Sequence, residues 1–170
     1  CPADLDIICV PGGTNGTLAA MEDEATIAFL KDRGSRAKLV TSVCTGSLVL
    51  GAAGLLDGYK ATSHWAVRDV LREFGAEPVD ARVVVDRNRI TGAGVTAGLD
   101  FGLQILAKLR DQQYAEGVQL LAEYAPEPPF AAGTPATAPK ASVDLMTGML
   151  VPFVDNARTV AKRTVAARKG

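Results

Sequence analysis

The sequence predicts an α/β fold with a mainly parallel sheet. Two short apolar runs, residues 6–10 and 38–43, have the length and composition of strands that are buried on both faces. A segment with helical spacing or small aliphatic residues follows each run, over residues 18–33 and 48–53. Strands that alternate with helices along a chain are typical of a sheet whose strands run parallel.

The second half of the chain adds further helices and one hairpin. Residues 66–74 carry apolar side chains on one helical face, and residues 82–86 and 89–91 are spaced to pair as a β-hairpin. A long helix is predicted over residues 96–124, with a break near Arg110. These elements continue the alternation of strands and helices that the α/β prediction requires.

Three segments are predicted along the chain. Residues 1–124 form the α/β domain, residues 125–141 form a proline-rich arm, and residues 142–170 form a C-terminal helix of the same domain. Proline excludes helix and central strand from the arm because it lacks a backbone N–H and fixes φ. Pro152 predicts a kink or a restart in the last helix.

Composition and charge exclude several classes of function. Among the 170 residues, 18 Lys and Arg balance 19 Asp and Glu, and the net charge of −1 argues against nucleic-acid binding through bulk charge. The longest apolar stretch, residues 48–56, is broken by glycine and shorter than the ~20 residues of a membrane-spanning helix. Three widely spaced cysteines do not indicate a disulfide framework. We therefore expect a cytoplasmic protein with no nucleic-acid or membrane partner.

Cys44 is the most informative position for chemistry. It stands where a buried strand passes directly into a glycine-containing helix start, as in the nucleophile elbow of α/β hydrolases. Such a turn exposes its central side chain, and the helix N-terminus favours a thiolate there. The pattern therefore predicts a cysteine nucleophile, with a buried and inert cysteine at a strand end as the alternative.

Two glycines close a neighbouring strand and are expected beside Cys44. Ligands of parallel sheets bind beyond the carboxyl ends of the strands, so Gly12 and Gly13 should share one rim with Cys44. Backbone N–H groups of Gly13 and Thr45 could then form an oxyanion hole. A plain turn at these glycines is the alternative interpretation.

Five motifs, in this order, resemble the DJ-1/PfpI superfamily. They occupy residues 11–13, 42–47, 54–58, 61–65 and 91–100, and together they span most of the chain. The resemblance implies a flavodoxin-like three-layer sandwich of the class I glutamine amidotransferase-like type, a cysteine nucleophile on the elbow, and a homodimer. It also implies that the first strand of the family's sheet is missing from this chain and would precede Cys1.

The branch of the superfamily is indicated by the residue after the nucleophile and by the arm. Thr45 replaces the histidine of the protease-like branch, and residues 118–135 resemble isonitrile hydratase. This resemblance implies that Cys44 attacks an isonitrile, that the Thr45 hydroxyl takes part, and that an acidic residue serves the cysteine. Asp4 and Asp6 lie in the wrong place for that acid, which we expect before Cys1. The implied reaction needs no cofactor and no metal.

We expect the remaining candidate residues to have structural or pocket-lining roles. His64, the single histidine, is expected to line the substrate pocket with Gly12 and Trp65, with a general base as the alternative. Cys9 is expected to be an inert strand residue, and Asp100 a local cap. Alternative functions are the ligand-binding domain of an AraC-type transcriptional regulator, a DJ-1-like hydrolase, and a redox-responsive stress protein in which Cys44 is oxidised.

Overall fold

The computed structural model describes residues 2–169, which form a sheet covered by helices on both faces. The strands are β1 (Ile7–Val10), β2 (Leu39–Val43), β3 (Lys60–Ala61), β4 (Glu77–Pro78), β5 (Val83–Asp86) and β6 (Arg89–Gly92). The α-helices are α1 (Thr14–Glu22), α2 (Glu24–Gly34), α3 (Gly46–Ala52), α4 (Ala97–Leu109), α5 (Gln112–Leu121) and α6 (Lys140–Lys169). A 3₁₀ helix covers Arg68–Phe74.

The main sheet confirms the predicted, mainly parallel arrangement. Its strand order is β1-β2-β6-β5, with β2 parallel to both β1 and β6. The predicted hairpin is β5 and β6, which pair antiparallel across a turn where Arg87 has a φ of 55°. The short strands β3 and β4 form a separate parallel pair. The carboxyl ends of β1 and β2 therefore lie side by side, which brings the loops that follow them together.

Apolar side chains of the sheet divide between two cores, which produces the three layers. The larger core joins one sheet face, including Ile8 and Val40, to α1, α3, the 3₁₀ helix and α6. The smaller core joins Leu39 and Ile90, on the opposite face, to Phe101 of α4. This division follows from the two-residue period of a strand, which sends Leu39 and Val40 to opposite faces. These three layers confirm the predicted flavodoxin-like sandwich.

Two predictions about the first half of the chain are wrong in detail. The helix expected over residues 18–33 is two helices, because the Asp23 side chain accepts a hydrogen bond from the Thr26 N–H and caps α2. The first strand is not buried on both faces, since the Cys9 residue is exposed. Within the described residues β1 is an edge strand that pairs only with β2, which explains that exposure.

The C-terminal part agrees with the predicted pattern of helices. The long helix breaks as expected, and Asp111 caps α5 by accepting a hydrogen bond from the Tyr114 N–H at 2.7 Å. Helix α6 continues through Pro152 without a restart, one of the two alternatives predicted there. Ala157 and Val160, one or two turns later, are buried in the larger core and hold the helix in place. No helix in residues 2–169 is long and apolar enough to cross a membrane.

Candidate active site

Cys44 occupies a sharp turn between β2 and α3. Its φ of 60° lies in the left-handed region, which costs a residue with a side chain roughly 1–3 kcal/mol. Hydrogen bonds hold the turn: the Cys44 N–H donates to the carbonyl of Ala93 at 2.7 Å, and its own carbonyl accepts from the Ser63 hydroxyl at 3.0 Å. The Ser47 hydroxyl donates to the same carbonyl at 3.3 Å. The strand-to-helix elbow predicted from the sequence is present.

Glycines let the neighbouring loop approach this turn. A Cβ atom added at Gly12 would lie 2.8 Å from Cys44 Cβ and 2.9 Å from both Thr45 N and Thr45 Oγ1. A Cβ atom on Gly46 would overlap the carbonyl oxygen of Val10, so α3 begins directly against the end of β1. The predicted proximity of Gly12 to Cys44 is therefore a close backbone contact, for which only glycine has room.

Three residues form a hydrogen-bond group beside the cysteine. The Gly13 N–H donates to the Thr45 hydroxyl oxygen at 3.0 Å, and the hydroxyls of Thr17 and Thr45 are 2.7 Å apart. Thr17 and Thr45 are both buried. The Thr45 N–H has no hydrogen-bond partner among the described residues and remains available to an anion. The Gly13 N–H, proposed from the sequence as the second donor of an oxyanion hole, is engaged with Thr45 instead.

Cys44 opens into a cavity of about 400 Å³. Its wall consists of the loop 11–14, the elbow 43–45, His64, and the apolar side chains of Val95, Leu150 and Phe153. Leu150 and Phe153 belong to α6, on the far side of the proline-rich arm, and sequence analysis did not assign them to the site. Their helical spacing was visible, but the spacing does not show which face of α6 meets the cysteine.

His64 lines the cavity, and Trp65 does not. The His64 Nδ1 accepts a hydrogen bond from the Ala66 N–H at 3.3 Å, which places the proton of a neutral ring on Nε2. Burial lowers the pKa of His64 from its ordinary value. No hydrogen bond joins His64 to Cys44 within the described part of the chain. Trp65, predicted to line the substrate pocket, lies instead against the arm, in a cavity with Pro135 and Met146.

The other candidate residues that the structure describes lie outside the cavity. The Asp100 carboxylate accepts hydrogen bonds from Arg82 and from the Tyr124 hydroxyl, so it joins α4 to the hairpin and to the chain after α5. Asp4 and Asp6 form ion pairs with basic residues at the opposite end of β1 from Cys44. Cys9 is a free thiol, and Cys1 lies outside the described residues. No three Cys, His, Asp or Glu side chains in residues 2–169 are grouped to hold a metal.

The fold and the elbow together define a class: α/β sandwich proteins with a cysteine at the strand-to-helix turn of a parallel sheet. Residues 1–108 match the DJ-1/PfpI family, and the chain belongs to that family. The family prediction is thereby confirmed.

Two proteins are similar over nearly the whole chain. Isonitrile hydratase of Pseudomonas putida is 51% identical over 166 residues, which are 98% of this chain and 72% of that protein. A crystal structure of a ThiJ/PfpI family protein from Pseudomonas syringae superposes with a TM-score of 0.93 at 61% identity, covering 95% of this chain and 66% of that one. The similarity to the hydratase supports the prediction that the chain is an enzyme.

A third relative matches over a shorter length. Deglycase TK1284 of Thermococcus kodakarensis is 37% identical over 90 residues, 53% of this chain and 54% of that protein. The chain therefore spans about half to three quarters of the length of these relatives.

Proposed function

We propose that this chain carries the active site of an isonitrile hydratase-like enzyme, which converts an isonitrile to an N-substituted formamide. The observation that carries the proposal is the placement of Cys44: it sits on a left-handed elbow and opens, beside Thr45, into an apolar cavity. The similarity to the Pseudomonas putida hydratase over 98% of the chain supports the choice of this reaction within the family.

In the proposed reaction the elements of water add to the terminal carbon of the isonitrile. The Cys44 thiolate attacks that carbon, a C–S bond forms, and the carbon takes up a proton to give a thioimidate. Water then adds to the same carbon, the C–S bond breaks with its electrons returning to sulfur, and the formamide leaves. No electrons enter or leave the substrate overall, so the proposal includes no redox cofactor.

In the proposed reaction, Thr45 donates hydrogen bonds to the negative charge that develops when Cys44 attacks. Its N–H has no partner among the described residues, and its hydroxyl lies at the same cavity wall as Cys44. Donors that are fixed in advance stabilise charge that appears only in the transition state. The Gly13 N–H contributes through the Thr45 hydroxyl, to which it donates.

The general acid of the reaction stays a prediction. The cavity wall formed by the described residues contains no carboxyl group. The acidic residue implied by the family resemblance therefore remains the proposed donor of the proton to carbon. Besides Cys44, His64 is the one titratable side chain in the described part of the cavity wall. Its lowered pKa leaves the ring neutral near pH 7, so that Nε2–H is the hydrogen-bond donor of the ring.

The cavity favours an isonitrile with an apolar substituent. Leu150, Phe153 and Val95 line the cavity, and burial of each additional CH₂ contributes about 0.8 kcal/mol. A cavity of about 400 Å³ accommodates a small alkyl or cycloalkyl group beside the reacting carbon.

Formamide production from cyclohexyl isonitrile tests the function directly. We expect turnover in the protein and none in Cys44→Ala. Cys9→Ala is the matched control, because Cys9 is a free thiol outside the Cys44 cavity and should leave turnover unchanged. A folded protein with a reactive Cys44 thiol and no turnover would contradict the proposal.

Other outcomes would favour the alternative functions. A stable Cys44 sulfinate without turnover would indicate a redox-responsive protein. Saturable binding of a small molecule without reaction would indicate a ligand-binding domain like that of AraC-type regulators, and cleavage of another substrate would indicate a hydrolase.

We further propose a cytoplasmic homodimer. Leu120 and Leu121, which are 81% and 88% exposed, offer apolar surface for the second copy. Sedimentation analysis tests the dimer.

A further inference from the structure

We propose that Ser63 is a positioning residue of this site, which fixes and polarises the peptide group between Cys44 and Thr45 by donating a hydrogen bond to its carbonyl. The inference rests on the proposed function, because the Thr45 N–H of this peptide group is the donor that the proposed reaction uses. Ser63 directly precedes His64, and the sequence pattern did not assign it a role.

The Cys44 carbonyl accepts hydrogen bonds from two side chains. The Ser63 hydroxyl donates to it at 3.0 Å, and the Ser47 hydroxyl donates at 3.3 Å. No backbone N–H in the part of the chain that the structure describes is bonded to this oxygen. Because a carbonyl oxygen has two lone pairs and no hydrogen, each hydroxyl is the donor and both lone pairs are occupied.

The contact between Ser63 and Cys44 is buried and joins two separate segments of the chain. Ser63 is fully buried, and the Cys44 carbonyl is the only hydrogen-bond partner of its hydroxyl among the described residues. A buried hydroxyl without a partner is unfavourable, so its proton stays directed at this carbonyl. Cys44 has a φ of 60°, which a residue with a side chain disfavours, and the bond from Ser63 therefore helps to hold the turn from outside.

The Cys44 carbonyl and the Thr45 N–H belong to one planar peptide group. Hydrogen bonds that the carbonyl accepts draw electron density towards its oxygen, which makes the N–H of the same group a stronger donor. They also fix the peptide plane, and the direction of the N–H with it. Thr45 lines the Cys44 cavity, whereas Ser47 and Ser63 are not among its wall residues. The two serines therefore strengthen and orient a donor that they do not accompany into the cavity.

Three single variants test the proposal by kinetics with cyclohexyl isonitrile. Ser63→Ala removes the shorter of the two hydrogen bonds, and Ser47→Ala removes the longer one. We expect kcat to fall about fivefold in Ser63→Ala and by less in Ser47→Ala, with KM little changed, because the polarised N–H acts in the transition state. Thr62→Val is the matched control. The Thr62 hydroxyl is buried beside Ser63 in the chain and has no hydrogen-bond partner among the described residues, so its removal should leave kcat unchanged.

Nuclear magnetic resonance supplies a readout that does not depend on turnover. The carbonyl carbon of Cys44 and the amide proton of Thr45 both report how strongly their peptide group is polarised. We expect both resonances to move upfield in Ser63→Ala, because the carbonyl loses a hydrogen bond and the N–H becomes a weaker donor. Neither resonance should move in Thr62→Val.

The proposal is overturned if Ser63→Ala keeps the wild-type kcat, if the two resonances stay in place, or if Thr62→Val loses as much activity. If Ser63→Ala does not fold, the same resonances in Ser47→Ala decide whether hydroxyl donors polarise this peptide group. Absence of turnover in the wild type would contradict the proposed function, while the two resonances would still decide the role of Ser63.

Discussion

The amide nitrogen of Gly13 lies 3.0 Å from the hydroxyl oxygen of Thr45 and donates its hydrogen to it. This bond joins the loop after β1 to the residue that follows Cys44. It changes the expected oxyanion hole, because the Gly13 N–H polarises the Thr45 hydroxyl and does not face the substrate directly. The Thr45 N–H, which has no partner among the described residues, is then the donor that remains for the proposed reaction.

Thr45→Val should lower both stability and activity. Valine leaves the Gly13 N–H without its acceptor and the Thr17 hydroxyl without its hydrogen-bond partner, which costs about 1–3 kcal/mol in the free energy of unfolding. Urea unfolding monitored by circular dichroism measures this loss, and formamide production measures kcat. Thr45→Ser, which keeps the oxygen, should lose less than half as much stability. Equal losses in the two variants would show that the methyl group, and not the hydroxyl, matters.

Gly12→Ala should disrupt the elbow, and Gly13→Ala should not. A methyl group at Gly12 would lie 2.8 Å from Cys44 Cβ, whereas one at Gly13 meets no atom within 4 Å. Gly13 has a φ of 168°, an extended conformation open to any residue. We expect Gly12→Ala to lose roughly 1–3 kcal/mol of stability and to slow alkylation of Cys44 by iodoacetamide, because an overpacked loop must shift. Similar behaviour of both variants would contradict the contact.

Phe153→Ala should widen the range of isonitriles that react. Phe153 lines the Cys44 cavity and also packs against the larger core, so its removal enlarges the space for a substituent. The ratio of kcat/KM for a bulky isonitrile over methyl isonitrile should rise, with a loss of stability below about 3 kcal/mol since the side chain is only half-buried. Val151→Ala, on the exposed side of α6, is the control. An unchanged ratio in Phe153→Ala would exclude Phe153 from the substrate pocket.

Stability should fall as the pH drops through the range in which the unfolded His64 titrates. Burial depresses the pKa of His64 in the folded protein, so below the ordinary histidine pKa the unfolded chain binds a proton more readily. The His64 contribution is therefore complete above the unfolded pKa and is lost as the pH falls towards the folded pKa. Protonation would also remove the acceptor for the Ala66 N–H.

Unfolding of wild type and His64→Gln at pH 7 and pH 5 measures this effect. We expect the stability difference between the two proteins to shift in favour of the variant at pH 5. His64 is the single histidine of the chain, so no other imidazole contributes to the comparison. An unchanged difference between the two pH values would contradict a depressed pKa.

Local pattern was sufficient to predict the strands and the elbow at Cys44. Short apolar runs predicted β1 and β2, and the strand-to-helix passage predicted the elbow at Cys44, because these features depend on a few adjacent residues. The Asp23 cap that divides the first helix was equally local, and a capping pattern could have identified it.

The surroundings of Cys44 depend on tertiary packing, which local pattern does not reveal. The sequence pattern was enough to predict that Gly12 and Cys44 share a rim, since each follows one of two neighbouring parallel strands. It did not determine that Thr17 meets Thr45, or that Phe153, more than a hundred residues after Cys44, closes the cavity. It also did not show that Trp65 faces the arm. Periodicity determines that a helix has an apolar face, but the choice of partner for that face depends on how all layers pack together.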